Sequence, residues 1–207
     1  MNHTQAVIFD LGGVLLNLAP ERTKHAFEEL GIGDFDRLFT VFKATPLFDQ
    51  LETGHVSPEE FIATLRNELP SGVQDASIVE AWNAMLLDFR TESLRFVESL
   101  KATMPTFLYS NTNRIHYEAF QQTLRETTSY PSLDHLFHKA YYSHEMGHRK
   151  PDPGGYLHII RNEGLDPSTT LFVDDNLKNI EGARDTGLQT HHLKPGESVE
   201  QVLASLR

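Results

Sequence analysis

Asp10, Ser110, Lys150 and the pair Asp174-Asp175 each follow a short apolar run, and these are the residues of the 207-residue chain whose types and spacing could do chemistry. The runs are Ala6-Val7-Ile8-Phe9, Thr106-Phe107-Leu108-Tyr109, Ala140-Tyr141-Tyr142 upstream of Lys150, and Thr170-Leu171-Phe172-Val173. Each reads as a buried strand. In an open parallel sheet, ligands bind in the crevice beyond the carboxyl ends of the strands, where residues distant in sequence converge. Convergence of Asp10, Asp174 and Asp175 would bring three carboxylates together, and these repel unless one is protonated or a cation sits among them. A hard divalent ion fits that donor set. Mg²⁺ prefers oxygen ligands, keeps several waters, and is usually held by one or two carboxylates plus substrate phosphate oxygens. Lys150 adds fixed positive charge opposite a phosphate. Ser110, with the amides of Asn111 and Thr112 where a strand gives way to a helix, supplies neutral donors of the kind that cradle phosphate oxygens.

Taken singly, each motif has an ordinary structural reading. Asp10-Leu11-Gly12-Gly13 is a strand-ending turn, Ser110-Asn111-Thr112-Asn113 a helix-capping loop, Lys150 a surface lysine, and Asp174-Asp175 a capping pair. Their joint placement favours a site. Histidine is abundant, at 11 residues, and His144 with His148 has the i, i+4 spacing of a helical metal pair. Gly147 between them and the lack of a Glu-rich helix argue against it. His191-His192 reads as an ordinary strand end.

The positioning elements follow from periodicity. After the first strand, residues from about 20 to 90 are helical in pattern: Phe35, Leu38, Phe39 and Phe42 fall at i, i+3, i+4, i+7, and Ile78, Val79, Trp82, Met85, Leu86 and Phe89 continue the series. Ser57-Pro58-Glu59-Glu60 opens a further helix with capping-box spacing and Pro at its first position. From Thr91 onward strands and helices alternate. Leu94 to Leu100, Ile115 to Leu124, a helix opened by Asp152-Pro153, a helix with the pattern Leu177, Ile180, Ala183, Leu188 ended by Gly187, and Val199 to Leu206 read as helices, and Gln189 to Leu193 as a last strand. The expected architecture is α/β, a doubly wound parallel sheet with an inserted small α-helical domain. Residues 1–16 and 91–207 would form the core and residues 17–90 the insertion. Its loop Thr45-Pro46-Leu47-Phe48-Asp49-Gln50 could be lowered over the site, which makes Phe48 a candidate substrate contact.

Composition narrows the functional classes. A formal net charge of -11 gives no basic footprint for nucleic acid and would repel anionic lipid. The absence of Cys removes disulfides and thiolate catalysis. The opening Met1-Asn2-His3-Thr4-Gln5 has no cationic region before an apolar stretch, and no apolar run approaches the roughly 20 residues that span a bilayer. The expectation is a cytoplasmic enzyme acting on a small molecule, with oligomeric state left open.

Four segments, Phe9-Asp10-Leu11-Gly12-Gly13-Val14-Leu15, Tyr109-Ser110-Asn111-Thr112-Asn113, Arg149-Lys150-Pro151-Asp152-Pro153 and Phe172-Val173-Asp174-Asp175-Asn176, resemble in order the four motifs of the haloacid dehalogenase-like (HAD) hydrolase superfamily. The resemblance covers nearly the whole chain, and the helical stretch is similar to that family's small cap. It implies that Asp10 is a nucleophile taking up a phosphoryl group, that Ser110 and the Asn111 amide bind its oxygens, and that Lys150 neutralises charge. Asp175 would ligate Mg²⁺ directly, with Asp174 as a supporting acid. The wording of the second and fourth motifs resembles most the bacterial sugar-phosphate phosphatases related to glucose-1-phosphatase, which implies a sugar phosphate as substrate.

One position departs from the family pattern. Most phosphatases of this superfamily carry a second Asp two residues after the nucleophile as general acid and base, and here that place is Gly12. A Gly carbonyl can still coordinate Mg²⁺, but it cannot supply proton transfer, which is typically worth about 10²- to 10⁴-fold. A haloacid dehalogenase, which needs no Mg²⁺, and a catalytically weak regulatory or binding protein are the competing readings. Asp174-Asp175 counts against the first.

Overall fold

The computed structural model describes residues 4–204. Among the described residues there are seven strands and eleven α-helices, five of the helices in succession between β2 and β3 and the rest alternating with strands as the sequence pattern expects. The core strands are β1 (Ala6–Phe9), β4 (Thr106–Ser110), β5 (Lys139–Tyr142), β6 (Thr170–Asp174) and β7 (Gln189–His192), with β2 (Leu16–Leu18) and β3 (Leu86–Phe89) between the first two. The insertion carries α1 (Pro20–Glu29), α2 (Phe35–Ala44), α3 (Leu47–Glu52), α4 (Pro58–Arg66) and α5 (Asp75–Asn83). The core carries α6 (Thr91–Lys101), α7 (Arg114–Thr127), α8 (Ser143–Met146), α9 (Pro153–Glu163), α10 (Leu177–Arg184) and α11 (Val199–Ala204).

The main sheet is parallel throughout in the order β5-β4-β1-β6-β7. Its three central strands, β1, β4 and β6, are buried along their whole length and largely apolar because both faces are covered. Val7, Phe9, Leu108 and Val173 face one core with α6, α7 and α11, while Ile8, Phe107, Tyr109 and Phe172 face a second with α9 and α10. In register, Phe9 lies beside Leu108 and Val173, so the three central strands end together and Asp10, Ser110 and Asp174 come out at one edge.

The insertion has its own core, in which Phe27, Leu51, Phe61, Leu65, Ile78 and Trp82 are buried against one another. Ser57 caps α4 as expected: its hydroxyl accepts from the Glu60 amide, and Glu60 reaches back to the Ser57 amide. The helix at 35–44 forms, but the side chains of Leu38 and Phe42 lie outside the described residues, as does Leu206 at the end of the last helix. One expectation is overturned. Leu86 and Phe89 do not continue a helix, because α5 stops at Asn83 and they lie on β3, antiparallel to β2, with Leu16 opposite Phe89 and Leu18 opposite Leu86. The two chain segments joining insertion to core run side by side in opposite directions, and pairing satisfies their backbone groups; further bonds run from Arg90 N to Leu15 O (2.8 Å) and from Ala19 N to Met85 O (2.9 Å).

Candidate active site

Asp10 follows the central strand β1 and is tied to the neighbouring strand β6 by its own amide, which donates to the Val173 carbonyl at 2.9 Å. Lys150 reaches it from the loop before α9. Its ammonium lies 2.6 Å from Asp10 Oδ1 and 2.8 Å from Asp174 Oδ2, and at 1% exposure it is no surface lysine. The Lys150 backbone is held in turn by Asn111, whose side chain accepts from Lys150 N and donates to Lys150 O, each at 2.8 Å. Asp174 is fully buried and also accepts from the Asn176 amide (2.8 Å) and from Asn179 Nδ2 at 3.0 and 3.1 Å. Both oxygens of that carboxylate therefore have donors, as a buried polar group requires.

Asp175 is exposed at the rim. One oxygen from each of Asp10, Asp174 and Asp175 lies within 4.8 Å of the others. The approach of Asp175 depends on Gly13, which has φ 70°; a Cβ there would fall 1.9 Å from Asp175 Oδ2. Burial, and then the charge of Asp174, pushes the Asp10 carboxyl up to about 7 against the pull of Lys150. The same two causes raise Asp175. Burial pulls Lys150 down, but Asp10 and Asp174 outweigh it and hold the ammonium above its ordinary value. Three carboxylates against one ammonium leave surplus negative charge in a confined space. An oxygen-ligated divalent cation removes that surplus, so the residues present fit Mg²⁺.

Ser110 closes β4 and is buried. The Thr112 amide, expected among the phosphate donors, is already taken: it donates to Ser143 Oγ at 2.9 Å, and that hydroxyl donates back to the Thr112 carbonyl. Asn113 caps α7, accepting from His116 N at 3.0 Å. The loop thus has both the capping character that each motif shows singly and the convergence that the set implies. The histidine pair fails as a metal site, because α8 ends at Met146 with Gly147 in the left-handed region at φ 70°, so His144 and His148 do not share a helix. Burial pushes His144 down to about 4, and among the described residues neither of its ring nitrogens has a hydrogen-bond partner.

A cavity of about 530 Å³ lies between insertion and core, with Leu11, Gly12, Ser110 and Asn111 at its base and Phe35, Phe39, Phe48 and Trp82 on the insertion side. Phe48 is half-buried and lies nearly parallel to Trp82, with centroids 5.6 Å apart and planes 8° from parallel. Arg149 joins the two sides, donating from Nε to Glu52 Oε2 (2.7 Å) and from Nη1 to Asp49 Oδ1 (2.6 Å). At the same seam Gly54 meets the His144 backbone so closely that a Cβ would fall 2.3 Å from the His144 carbonyl oxygen. Sequence reasoning missed Arg149, Ser143, Asn179 and the clamp made by the Asn111 side chain. Only for Arg149, beside Lys150 in the third motif, was there a nearby signal.

A family model described as haloacid dehalogenase-like hydrolase matches residues 4–187, and the chain belongs to that family. Phosphatases recur among its relatives. A D-ribitol-5-phosphate phosphatase of Bacteroides thetaiotaomicron is 28% identical, covering 95% of this chain and 95% of its own length. The sesquiterpene phosphatase astK of Aspergillus oryzae is also 28% identical, over 91% of this chain and 89% of its own. The crystal structure of HAD family enzyme BT-2542 from Bacteroides thetaiotaomicron matches with a TM-score of 0.90 at 31% identity, covering 98% of this chain and 99% of that one. The same enzyme in complex with magnesium and inorganic phosphate matches with a TM-score of 0.85 at 31% identity, over 96% and 98% of the two chains. No helix among the described residues is long and apolar enough to cross a membrane.

Proposed function

We propose that this protein is a Mg²⁺-dependent phosphatase that hydrolyses a small phosphorylated metabolite through an aspartyl-phosphate on Asp10. The observation that carries this reading is the meeting of Asp10, Asp174 and Asp175 within 4.8 Å, with the Lys150 ammonium touching two of them. Asp10 Oδ1 is occupied by Lys150, which leaves the other oxygen to attack phosphorus. The P–O bond to the alcohol breaks as the new one forms, and the leaving oxygen takes the electron pair. Water then attacks the acyl phosphate, releasing inorganic phosphate and restoring the Asp10 carboxylate. The Ser110 hydroxyl and Asn111 amide donate to the phosphoryl oxygens, and Lys150 offsets charge that grows on the transferring group. Asp10, the Gly12 carbonyl and Asp175 would hold Mg²⁺, with Asp174 behind them, and the ion would supply charge neutralisation for the phosphate and keep Asp10 ionised. Asn111, Asn176 and Asn179 set the positions of Lys150 and Asp174. The helical insertion, residues 17–90, acts as a cap.

The ribitol-5-phosphate relative and the resemblance to sugar-phosphate phosphatases put sugar phosphates first among candidate metabolites. The acidic pair weighs against dehalogenation, and a purely regulatory role would leave the buried Lys150 network without a use. The test is release of p-nitrophenol from p-nitrophenyl phosphate with Mg²⁺, with EDTA, and with Asp10→Asn. Turnover that needs both Mg²⁺ and Asp10, falling by about 10³-fold or more in the variant, is expected. Absence of turnover in a folded sample, or its persistence in Asp10→Asn, overturns the reading.

A further inference from the structure

Beside Gly12, which stands where the family carries its second Asp, the structure places a leucine side chain. A Cβ built on Gly12 would fall 2.6 Å from Leu18 Cδ1, so the Leu18 side chain occupies the space next to that position. Leu18 is 36% exposed, an unusual exposure for a large apolar side chain in this molecule, and it lines the cavity on β2. A leaving-group oxygen beside Gly12 would therefore meet methyl groups where an acid is expected.

The rest of the cavity points the same way. Its charged side chains are largely paired within the protein: Lys24 with Asp36, and Arg149 with Asp49 and Glu52. Thr23 donates to the Trp82 carbonyl and accepts from Met85 N; the ring nitrogens of His116 lie 3.1 Å from the Trp82 carbonyl and 3.2 Å from Asn113 Nδ2. The Asn111 side chain is committed to Lys150 at both ends. Ser110 sits at the phosphate end, and Glu21 is exposed at the rim. A buried polyol would give up water for hydroxyls that find few partners here. An apolar body would lie against Leu18, Phe35, Phe39, Phe48, Trp82 and Leu86 and lose nothing on leaving water.

We propose a further activity that rests on the phosphatase reading and extends it beyond sugar phosphates: hydrolysis of phosphomonoesters of apolar alcohols, aromatic alcohols above all. The balance of the step favours the aromatic case. Asp10 forms its bond to phosphorus, the P–O bond to the alcohol breaks, and the oxygen departs with the electron pair and takes its proton from water. With no side-chain acid at position 12, alcohols that are stable as anions leave fastest, and a phenol, with a pKa near about 10, combines that property with a flat apolar body.

The experiment compares kcat/KM for 1-naphthyl phosphate, ribitol 5-phosphate and acetyl phosphate in the presence of Mg²⁺. It adds a series of substituted phenyl phosphates and the Phe48→Ala variant. Naphthyl phosphate is expected to exceed ribitol 5-phosphate by about tenfold or more. Log kcat/KM should fall steeply with the pKa of the phenol, and Phe48→Ala should raise KM more for naphthyl than for acetyl phosphate. If ribitol 5-phosphate matches or exceeds naphthyl phosphate while acetyl phosphate is turned over, this proposal fails and the phosphatase reading stands. A flat leaving-group series also overturns it. If acetyl phosphate is not hydrolysed either, the phosphatase reading itself has failed.

Discussion

Below the cavity, the carboxylates of Asp10 and Asp174, the Lys150 ammonium and the side chains of Asn111 and Asn179 form a hydrogen-bonded network at the strand ends, with Asp175 close beside it; above it, Phe35, Phe39, Phe48 and Trp82 touch ring to ring on helices. The floor is directional. Each donor there has a fixed acceptor, and removing one leaves a buried charge unmatched. The roof is held by contacts that have no direction, and one ring can shift against another at small cost. Such a division suits chemistry that must be the same for every substrate and selection that must differ between them.

Lys150→Met is the strongest way to break this contrast. It leaves Asp10 and Asp174 facing each other in a buried site, and breaking a buried ion pair on one side costs about 3–5 kcal/mol. Urea denaturation in metal-free buffer should show a loss of that order. A cost below that of a single roof substitution would erase the distinction. Gly13→Ala sharpens the comparison inside the floor, because the added methyl group collides with Asp175 Oδ2 and the φ of 70° is unfavourable for alanine. Calorimetry should show Mg²⁺ affinity falling by about 10- to 100-fold, the usual cost of disturbing the support of a metal site.

The third prediction concerns the seam between the two regions. His116 on α7 bonds the Trp82 carbonyl on α5, and burial pushes the ring down to about 4. An unfolded chain takes up that proton near about 6.5, so between there and about 4 the unfolded state binds more protons and stability falls as pH falls. The slope approaches about 1.4 kcal/mol per pH unit for one histidine, the smallest of these effects at mildly acidic pH. Thermal unfolding from pH 7 to 5 should show this slope together with that of His144, which burial pushes down to the same value, and His116→Gln should reduce the slope by about one histidine's share.

The floor was more legible in the sequence than the roof. Asp10, Ser110 and Asp174 each close a run of apolar residues, and a fully buried parallel strand writes that pattern directly. The partners that make the floor work were silent. Asn179 and Ser143 look like ordinary polar residues of a helix turn; Ser143 bonds Thr112 across the sheet's edge, a proximity no local spacing encodes, and Asn179, though it follows Asp174 closely in sequence, shows its bond only once the chain has turned from β6 into α10. Leu86 and Phe89 misled for a related reason. Their apolar spacing continues that of α5, and only the need to carry the chain back beside Leu16 turns it into a strand. Gly12 was legible as a missing acid, while Leu18 beside it was not.

The paired strands β2 and β3 give the molecule a stem. The chain leaves the sheet and returns to it as two neighbouring strands, Leu16 beside Phe89, so the core sees its two open ends held about one interstrand spacing, 4.7–4.9 Å, apart. Whatever hangs beyond that stem can lengthen, shorten or change its side chains without altering the distance the core must bridge. The edge of the sheet that carries Asp10, Ser110 and Asp174 is thereby insulated from changes in its cover, and the cavity's lining can be altered above it without refolding what lies below.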